Sequence, residues 1–561
     1  MIKKKYEIVI ISIASIIYCL YCNWIMTELP HLAWFDFMPL IDKYYTKTLF
    51  AGDLFSRYGE HGMFGYNVLL LINTELFRMT TFFDVYLNDF CVIVSGILVI
   101  FLFRKIVDNS KISYKIGVIL IALFHFSTIQ KSSGAMETQV RLGIFFFLLS
   151  SILVDRIFIS TKSDYKKVAM ACFFIIISIN VFGTFYNFAG LPMIFIIGFI
   201  IFVTNKKKYS MLVPILATYA LTTLVYIYEY KILAQTGVDS AGALDGIINL
   251  FTQPIMVTKS LIAYNANGLF GASVFLSNKY PVELHLWLGL IATSILCFAV
   301  YQYFKIKMYQ KTYIPLFLIA YSLGVFVFVF IGRADLDWTW FLNEWYAVHI
   351  KLQYVGVVFI LIECLQSEVY KERGRKVLCC VGGVCIALIS LAGNYFELDR
   401  AGGVAAYYEG KQAYLFVKMK EELPVDGSGN TPLIASADVT FNAITILKKY
   451  GLSVYEYYPI YMISSEGYGN NDWIEKEAIV RIYTKTGKIN LKMICPFEYD
   501  GSQSGTLYVD GNEYSKYSFE NGEINLLVEV DEKSIVTLEF KNNYLSKTSD
   551  EKDVSFKLGI Q

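Results

Sequence analysis

The chain has 561 residues, of which 55% are hydrophobic and only 17% are charged, and its formal net charge is +1. This composition excludes an ordinary water-soluble globular protein and indicates a membrane protein. Because the charges balance and form no basic stripe, we expect no nucleic-acid partner. No cluster of residues has the spacing of a metal site, which leaves the cofactor open, with a divalent cation as one option.

Apolar runs occupy the first two thirds of the chain. A membrane-spanning helix needs about 20 predominantly apolar residues, because it must cross a hydrocarbon core of roughly 30 Å with its backbone satisfied internally. We therefore predict an all-helical polytopic bundle of about eleven transmembrane helices. The predicted spans are residues 7–26, 88–105, 115–131, 141–159, 167–184, 188–204, 210–230, 284–304, 312–331, 351–366 and 376–394.

Basic residues between these spans predict the orientation of the chain. Every second loop is basic, beginning with the lysines at positions 3–5 before the first span. Since basic loops stay in the cytoplasm, we expect a cytoplasmic N-terminus, and an odd number of spans places the C-terminal tail outside. Loops 27–87, 230–283 and 332–350 then share the outer side. The short apolar stretch 63–77 in the first of these loops is interpreted as an interfacial helix.

The composition changes sharply after residue 394, where charged residues and glycine become frequent. A transmembrane domain at 1–395 is therefore expected to precede an extracytoplasmic mixed α/β segment at 396–470. Beyond it, short alternating segments separated by polar turns predict a C-terminal β-sandwich at 471–561. These segments are 478–484, 489–494, 506–511, 524–530, 535–540 and 554–560.

The first outer loop carries several ionisable residues. Their presence together at the membrane surface of so apolar a chain indicates that they bind something there. Asp36 lies between two phenylalanines, which would partly shield its carboxylate from water. Arg57, Glu60 and His61 fall together in SRYGEHG and could bind an anion, share a proton or ligate a metal. An ordinary interfacial acid and ordinary loop residues are the simpler alternatives. Two other acids of this loop suit a helix face and a turn and are interpreted as structural: Asp42 and Asp53.

Two further outer loops combine charge with other polar or aromatic groups. Glu137 and Arg141 stand at the start of the fourth predicted span, where solvation of a helix end is the simpler explanation. The loop 332–350 mixes charge that suits a phosphate with flat aromatic faces. A belt of interfacial aromatic residues explains the rings but not an arginine beside two acids. The candidate ligand-binding residues of this loop are Arg333, Asp335, Trp338, Trp340 and Tyr346.

These features together resemble the GT-C superfamily of glycosyltransferases, which use lipid-linked phosphosugars. The resemblance rests on the acidic first outer loop, the late aromatic GR…WY loop and the extracytoplasmic C-terminal domain, and it covers the architecture of residues 1–395. Enzymes of this superfamily place an acid of the first outer loop near the active site. The resemblance therefore implies that Asp36 is the main catalytic residue, with Glu60 and His61 in support.

The resemblance implies a hexosyltransferase-type enzyme that moves a sugar from a polyprenyl-phosphate donor to a cell-envelope glycan or other acceptor. The isoprenoid would stay in membrane lipid while the phosphate and sugar reach the outer loops. Asp36 would act as general base, with inversion at the anomeric carbon. Arg333, with Arg57 or Arg141, would hold the leaving phosphate through paired hydrogen bonds.

Other functions remain open from the sequence alone. A polysaccharide polymerase or ligase would use an oligosaccharide linked to lipid diphosphate. A lipid-linked-sugar transporter would carry ionisable residues in the middle of its spans and an internal repeat. The C-terminal domain, for its part, would either recognise the acceptor glycan or stabilise the outer loops, and the sequence favours neither.

Overall fold

The computed structural model describes residues 38–55, 57–58, 61–79, 81–108, 111–126, 135–160, 164–183, 209–233, 243–271, 280–333, 337–343, 346–367, 373–417, 437–456, 459–468, 472–495, 503–519, 522–544, 546–547 and 553–560, with a few isolated positions besides. The chain forms two compact units. The helical unit comprises residues 1–27, 50–70 and 82–404, and the C-terminal unit comprises residues 28–49, 71–81 and 405–561.

Fourteen α-helices are present in the described part of the chain. They are α1 (Met38–Tyr45), α2 (Phe64–Phe77), α3 (Thr81–Ile106), α4 (Ile112–Phe126), α5 (Ala135–Ile159), α6 (Tyr165–Ile176), α7 (Tyr209–Leu233), α8 (Ala243–Thr252), α9 (Pro254–Phe270), α10 (Glu283–Lys305), α11 (Ile314–Gly332), α12 (Ala347–Gln366), α13 (Arg373–Val417) and α14 (Ala437–Tyr450). Pro254 and Pro315 occupy the first turns of α9 and α11, where a missing N–H costs no helical hydrogen bond.

Six of these helices contain segments long and apolar enough to cross a membrane, judged by length and composition. The segments are Tyr86–Ile106, Thr138–Ile159, Glu283–Lys305, Ile314–Gly332, Ala347–Gln366 and Arg373–Phe396. Each coincides with one of the predicted spans. The prediction of a membrane-embedded helical part is therefore confirmed.

The predicted number of eleven spans is not reproduced in the described part of the chain. The predicted spans 7–26 and 188–204 lie almost entirely outside the described residues. The remaining three fall on α4, α6 and α7. Within the described residues, the apolar segments of α4 and α7 are Ile112–Ile121 and Ser210–Tyr226, and α6 gives way to a π-helical turn at Ile177. Apolar runs alone do not separate a full crossing from a shorter buried helix, so these three spans stay predictions.

Close backbone approach holds the helices of the helical unit together. Helix α12 packs against α4 and α11, and α9 packs against α10. A Cβ atom on Gly289 of α10 would lie 2.0 Å from the carbonyl oxygen of Ile262 in α9. Similarly, one on Gly356 of α12 would lie 2.6 Å from the carbonyl oxygen of Pro315. Small residues at these crossings allow the tight packing on which helix association in a lipid environment depends.

A buried polar network crosses the same helices. The Gln353 side chain donates to Asn265 Oδ1 at 2.7 Å, and Asn265 Nδ2 donates to Thr293 Oγ1 at 2.8 Å. The Tyr354 hydroxyl donates to the Asn265 carbonyl oxygen, also at 2.7 Å. The network joins α9, α10 and α12 by side-chain hydrogen bonds, which stabilise helix contacts where no water competes.

The C-terminal unit contains an antiparallel sheet whose path runs β7-β6-β9-β4-β12-β5-β8, with β3 also paired to β4. Its strands are β3 (Ile460–Tyr468), β4 (Trp473–Thr484), β5 (Lys488–Ile494), β6 (Ser504–Val509), β7 (Asn512–Ser518), β8 (Glu523–Glu529), β9 (Ser534–Asn542) and β12 (Phe556–Ile560). The short pair β10 (Ser546–Lys547) and β11 (Asp553–Val554) lies between β9 and β12. Helix α14 precedes the sheet and ends close to a 3-10 turn, Ser453–Glu456.

The two ends of this path come close to each other. The Tyr514 hydroxyl of β7 donates to the Leu527 carbonyl of β8 and accepts from the Glu529 N–H. The sheet therefore forms a near-barrel around an apolar core that includes Ile482 and Phe556. The prediction of a C-terminal β domain is confirmed, whereas its hydrogen bonding forms one continuous sheet and not the two separate sheets of the predicted sandwich.

Strand β7 was missed because its sequence, NEYSKYS, has little apolar content. It is recruited by the hairpin turn at Asp510 and Gly511, both of which have positive φ. This Asp-Gly pair favours the tight turn that pairs consecutive strands. Strand β3 was likewise not among the predicted strands, because it lies in the segment 396–470 that was expected to be mixed α/β.

Candidate functional site

A short hairpin in the helical unit carries part of the predicted site. Strand β1 (Arg57–Tyr58) pairs antiparallel with β2 (His61–Gly62). The Gly62 N–H donates to the Tyr226 hydroxyl at 2.9 Å, and the Gly62 carbonyl oxygen accepts from Gln139 Nε2 at 2.8 Å. The backbone of the hairpin is therefore held by α7 on one side and by α5 on the other.

Gln139 organises the region around this hairpin. Its amide nitrogen donates to the carbonyl oxygens of Gly62 and Gly183, and its amide oxygen accepts from the Tyr66 N–H at 2.9 Å. Gln139 is fully buried, so each of these bonds replaces a contact with water that burial removed. One side chain of α5 thereby joins the hairpin, the start of α2 and the end of the π-helical turn.

Charged side chains are buried near the start of α5 and α3. Arg141 of α5 is 7% exposed, and it lies near enough to Cys91 of α3 to interact with it electrostatically. Asp84 and Asp89 of α3 are also buried, and the Asp84 carbonyl oxygen accepts from the Thr138 hydroxyl. Burying ionised groups is costly unless they are compensated, so such groups in a membrane protein commonly mark a functional region.

A second group of predicted residues meets after α11. The guanidinium carbon of Arg333 lies 5.9 Å from the centre of the Trp340 ring. The Trp340 indole nitrogen donates to the Tyr346 hydroxyl at 3.1 Å. The cation thus faces an aromatic surface whose polar edge is fixed by a buried tyrosine.

The loop that carries these rings is fixed by local and distant contacts. Asp337 caps the 3-10 turn Trp338–Leu342 by accepting from the Trp338 N–H and the Thr339 hydroxyl. Asn267 of α9 donates to the carbonyl oxygens of Phe341 and Asn343. Together these bonds give the Trp340 ring a defined position, as ligand stacking requires.

The structure places the predicted site residues in three classes. Asp36, Glu60 and Asp335 lie outside the described residues, so their roles stay predictions. Backbone positions alone are described for a second class: Arg57, His61 and Glu137. Side chains are described for the third class: Arg141, Arg333, Trp338, Trp340 and Tyr346.

Of these, the hairpin with Arg57 and His61 meets the helix that carries Glu137 and Arg141, through Gln139. Arg333, Trp340 and Tyr346 form the second group. Trp338 begins the turn that carries Trp340.

Four residues of these groups were not predicted from the sequence: Asp84, Asp89, Asn267 and Tyr226. The signal for the two acids was present, since TFFDVYLNDF places them at the beginning of an apolar run. Asn267 and Tyr226 act through partners more than 70 residues away along the chain. No local pattern predicts such partners.

Phosphate-binding chemistry is available from Arg141 and Arg333, whose guanidinium groups can donate two parallel hydrogen bonds to an anion. Within the described residues, no group of three or more His, Cys, Asp or Glu side chains could hold a metal ion. No protein-family model, curated protein or solved structure matches this chain.

Proposed function

We propose that this chain is a membrane glycosyltransferase that transfers a sugar from a polyprenyl-phosphate donor to a cell-envelope glycan or another acceptor. In this proposal the chain has its N-terminus in the cytoplasm, about eleven spans in a GT-C-like arrangement, and its reaction at the outer membrane face. The observation that carries the proposal is the Arg333 guanidinium beside the Trp340 ring at the end of a candidate span. A cation suits the donor phosphate, and a flat ring suits an apolar sugar face.

The proposed reaction is an in-line displacement. The acceptor hydroxyl oxygen forms a bond to the anomeric carbon while the bond from that carbon to the phosphate oxygen breaks, which inverts the configuration. Polyprenyl phosphate leaves with both electrons of the broken bond, and Asp36 takes the proton of the acceptor hydroxyl as general base. Arg333 stabilises the charge that develops on the leaving phosphate.

The remaining residues have supporting roles in this proposal. Arg57 and Arg141 are further phosphate contacts, and Glu60 and His61 assist the proton transfer. Four side chains of the other outer loops bind the sugar or the acceptor: Glu137, Asp335, Trp338 and Tyr346.

Transfer from a synthetic polyprenyl-phosphate sugar to endogenous or added glycan tests the proposal in proteoliposomes. Removing a donor to developing charge commonly costs about a hundredfold in rate, so we expect that loss from Arg333→Ala, with partial recovery in Arg333→Lys. Asp36→Asn should lower the rate by a factor of roughly 10² to 10⁴, because it removes the base. Arg373→Ala is the matched control, since Arg373 is an exposed arginine in the first turn of α13.

The donor series separates the proposal from its alternatives. Wild-type turnover in both Asp36→Asn and Arg333→Ala would refute the assigned roles. Transfer only from a diphosphate-linked oligosaccharide would identify a polymerase or ligase instead. Movement of the intact lipid-linked sugar between leaflets without transfer would identify a transporter.

A further inference from the structure

Two segments of the first outer loop belong to the C-terminal unit, and each of them contacts the end of α14. The first contact is made by Asp42 of α1. Its carboxylate accepts from the Tyr450 hydroxyl at 2.7 Å and from Lys449 Nζ at 3.0 Å. The hydrogen bond from Tyr450 and the neighbouring Lys449 ammonium lower the pKa of Asp42, so the carboxylate stays ionised and the contact stays charge-assisted.

The second contact is made by Arg78, directly after α2. Its Nη2 donates to the carbonyl oxygens of Tyr450 and Gly451 at 2.7 and 3.4 Å. The last carbonyl groups of a helix lack partners within the helix and carry partial negative charge. Arg78 therefore caps the C-terminal end of α14 from a segment more than 370 residues earlier in the chain.

The turn that contains Arg78 is built for this contact. Arg78 and Met79 both have positive φ, which side chains with a Cβ atom adopt at an energetic cost. The Arg78 carbonyl oxygen accepts from the Ser453 N–H at 2.7 Å, and Ser453 has positive φ as well. Two turns in unfavourable backbone conformations thus bond to each other, with the Arg78 Nε 3.5 Å from Glu456.

The two contacts are also tied together. The Tyr45 ring stacks on the Tyr450 ring with centroids 4.2 Å apart, and its hydroxyl accepts from Arg78 Nη1 at 3.1 Å. The Tyr44 hydroxyl donates to Glu75 near the end of α2 at 2.7 Å. The end of α14 therefore contacts both flanks of residues 50–70, the stretch that carries the β1–β2 hairpin.

We infer that the end of α14 is a clamp for the first outer loop, and that Asp42 and Arg78 are its positioning residues. The clamp consists of Asp42, Arg78, Lys449, Tyr450 and Glu456. Its partners are the two segments of that loop that belong to the same unit, residues 28–49 and 71–81. The inference does not depend on the proposed reaction, because the contacts exist whatever chemistry the loop performs.

Retention of the C-terminal fragment after cleavage tests the clamp in the full-length protein. A protease site is inserted after Gly427, the folded protein is immobilised through its N-terminus in detergent, and the site is cut. We expect the wild-type fragment 428–561 to stay bound after cleavage. Arg78→Ala and Asp42→Ala should each release it about tenfold faster, and the double variant faster still.

Matched variants separate loss of the clamp from loss of folding. Asp42→Lys combined with Lys449→Asp reverses the ion pair and should restore retention to within about threefold of wild type. Glu523→Ala is the control, because the Glu523–Lys492 pair on the sheet has a similar distance and exposure to Asp42–Lys449. The released fragment should keep its β-sheet circular dichroism signal.

Three outcomes would overturn the clamp: dissociation of the wild-type fragment on cleavage, unchanged retention in the Arg78→Ala and Asp42→Ala double variant, or failure of the reversed pair to recover retention. None of these measurements involves sugar transfer. An enzyme assay that fails in the wild type would therefore refute the proposed function and leave the clamp standing.

Discussion

The helices of the helical unit leave many large apolar side chains exposed, whereas the strands of the C-terminal unit bury most of theirs. Trp287 of α10 and Leu388 of α13 are largely exposed. In contrast, the polar side chains of Asn265 in α9 and Gln353 in α12 are fully buried. In the sheet, strand β5 alternates between buried and exposed positions, and its charged residues lie on the outside. The opposite distributions show that the two units are built for different surroundings, lipid for one and water for the other.

The largest effect on stability is expected from a substitution in the interior of the near-barrel. Phe556 is fully buried, with ring contacts to Phe519 and Phe540. Phe556→Ala should lower the free energy of unfolding of the C-terminal unit by about 3–5 kcal/mol, because it removes apolar burial and leaves a cavity. Urea-dependent proteolysis of the solubilised full chain measures this loss. The exposed Leu527→Ala should change it by less than about 0.5 kcal/mol.

The second test introduces arginine at one similarly exposed apolar position in each unit. Val384 in α13 is 56% exposed and Ile535 in β9 is 54% exposed. Val384→Arg should cost roughly 3 kcal/mol of membrane insertion, because a lipid-facing guanidinium near the centre of a span is poorly solvated. Ile535→Arg should be nearly neutral. Glycosylation mapping measures membrane insertion of Val384→Arg, and thermal unfolding measures the stability of Ile535→Arg. Unchanged insertion of the first variant, or a stability loss of about 3 kcal/mol in the second, would contradict the comparison.

The third test concerns packing between helices. Gly289→Val in α10 should destabilise the helical unit by about 1–3 kcal/mol, because its Cβ would meet the Ile262 carbonyl oxygen and force α9 and α10 apart. Fluorescence-detected size exclusion after heating reports the change. Gly383→Ala in α13 is the control, since a Cβ there meets nothing within 4 Å. Equal melting temperatures for the wild type and Gly289→Val would rule out this close crossing.

The smallest change, about 1 kcal/mol per pH unit, is expected in the pH dependence that a buried amine gives the C-terminal unit. The Lys448 side chain is 1% exposed, and its Nζ lies 5.7 Å from the Tyr455 ring, with no hydrogen-bond partner in the described part of the chain. Burial lowers the pKa of Lys448 from its ordinary value of 10.5 to about 7. Between these values the unfolded chain binds a proton that the folded chain does not, so stability rises with pH.

Lys448→Met should remove this dependence and stabilise the C-terminal unit most at pH 7 and below. Between pH 7 and pH 8, the advantage of the variant over the wild type should shrink by about 1 kcal/mol. Chemical unfolding at several pH values between 6 and 9 measures the slope. A wild-type stability that is flat across this range would contradict burial of the neutral amine.

The comparison also shows what could be predicted and why. The membrane helices and most strands were predicted because apolar runs and alternation record the surroundings of each segment locally. Arg333 and Trp340 could be grouped in advance because they lie within a stretch of eight residues in the loop 332–350. In contrast, the number of spans could not be predicted reliably at α4, α6 and α7, because an apolar run does not reveal whether a helix continues across the membrane.

By itself, the sequence determined the division into an apolar helical part and a polar β part, along with the aromatic and charged character of the loops predicted to lie outside. Only the tertiary structure decided that Asp42 and Arg78 join the end of α14, and that Gln139 holds the hairpin. The physical reason is distance along the chain. Local periodicity indicates whether a side chain is buried. Its partner depends on segments tens to hundreds of residues apart, which come into contact only when the chain has folded.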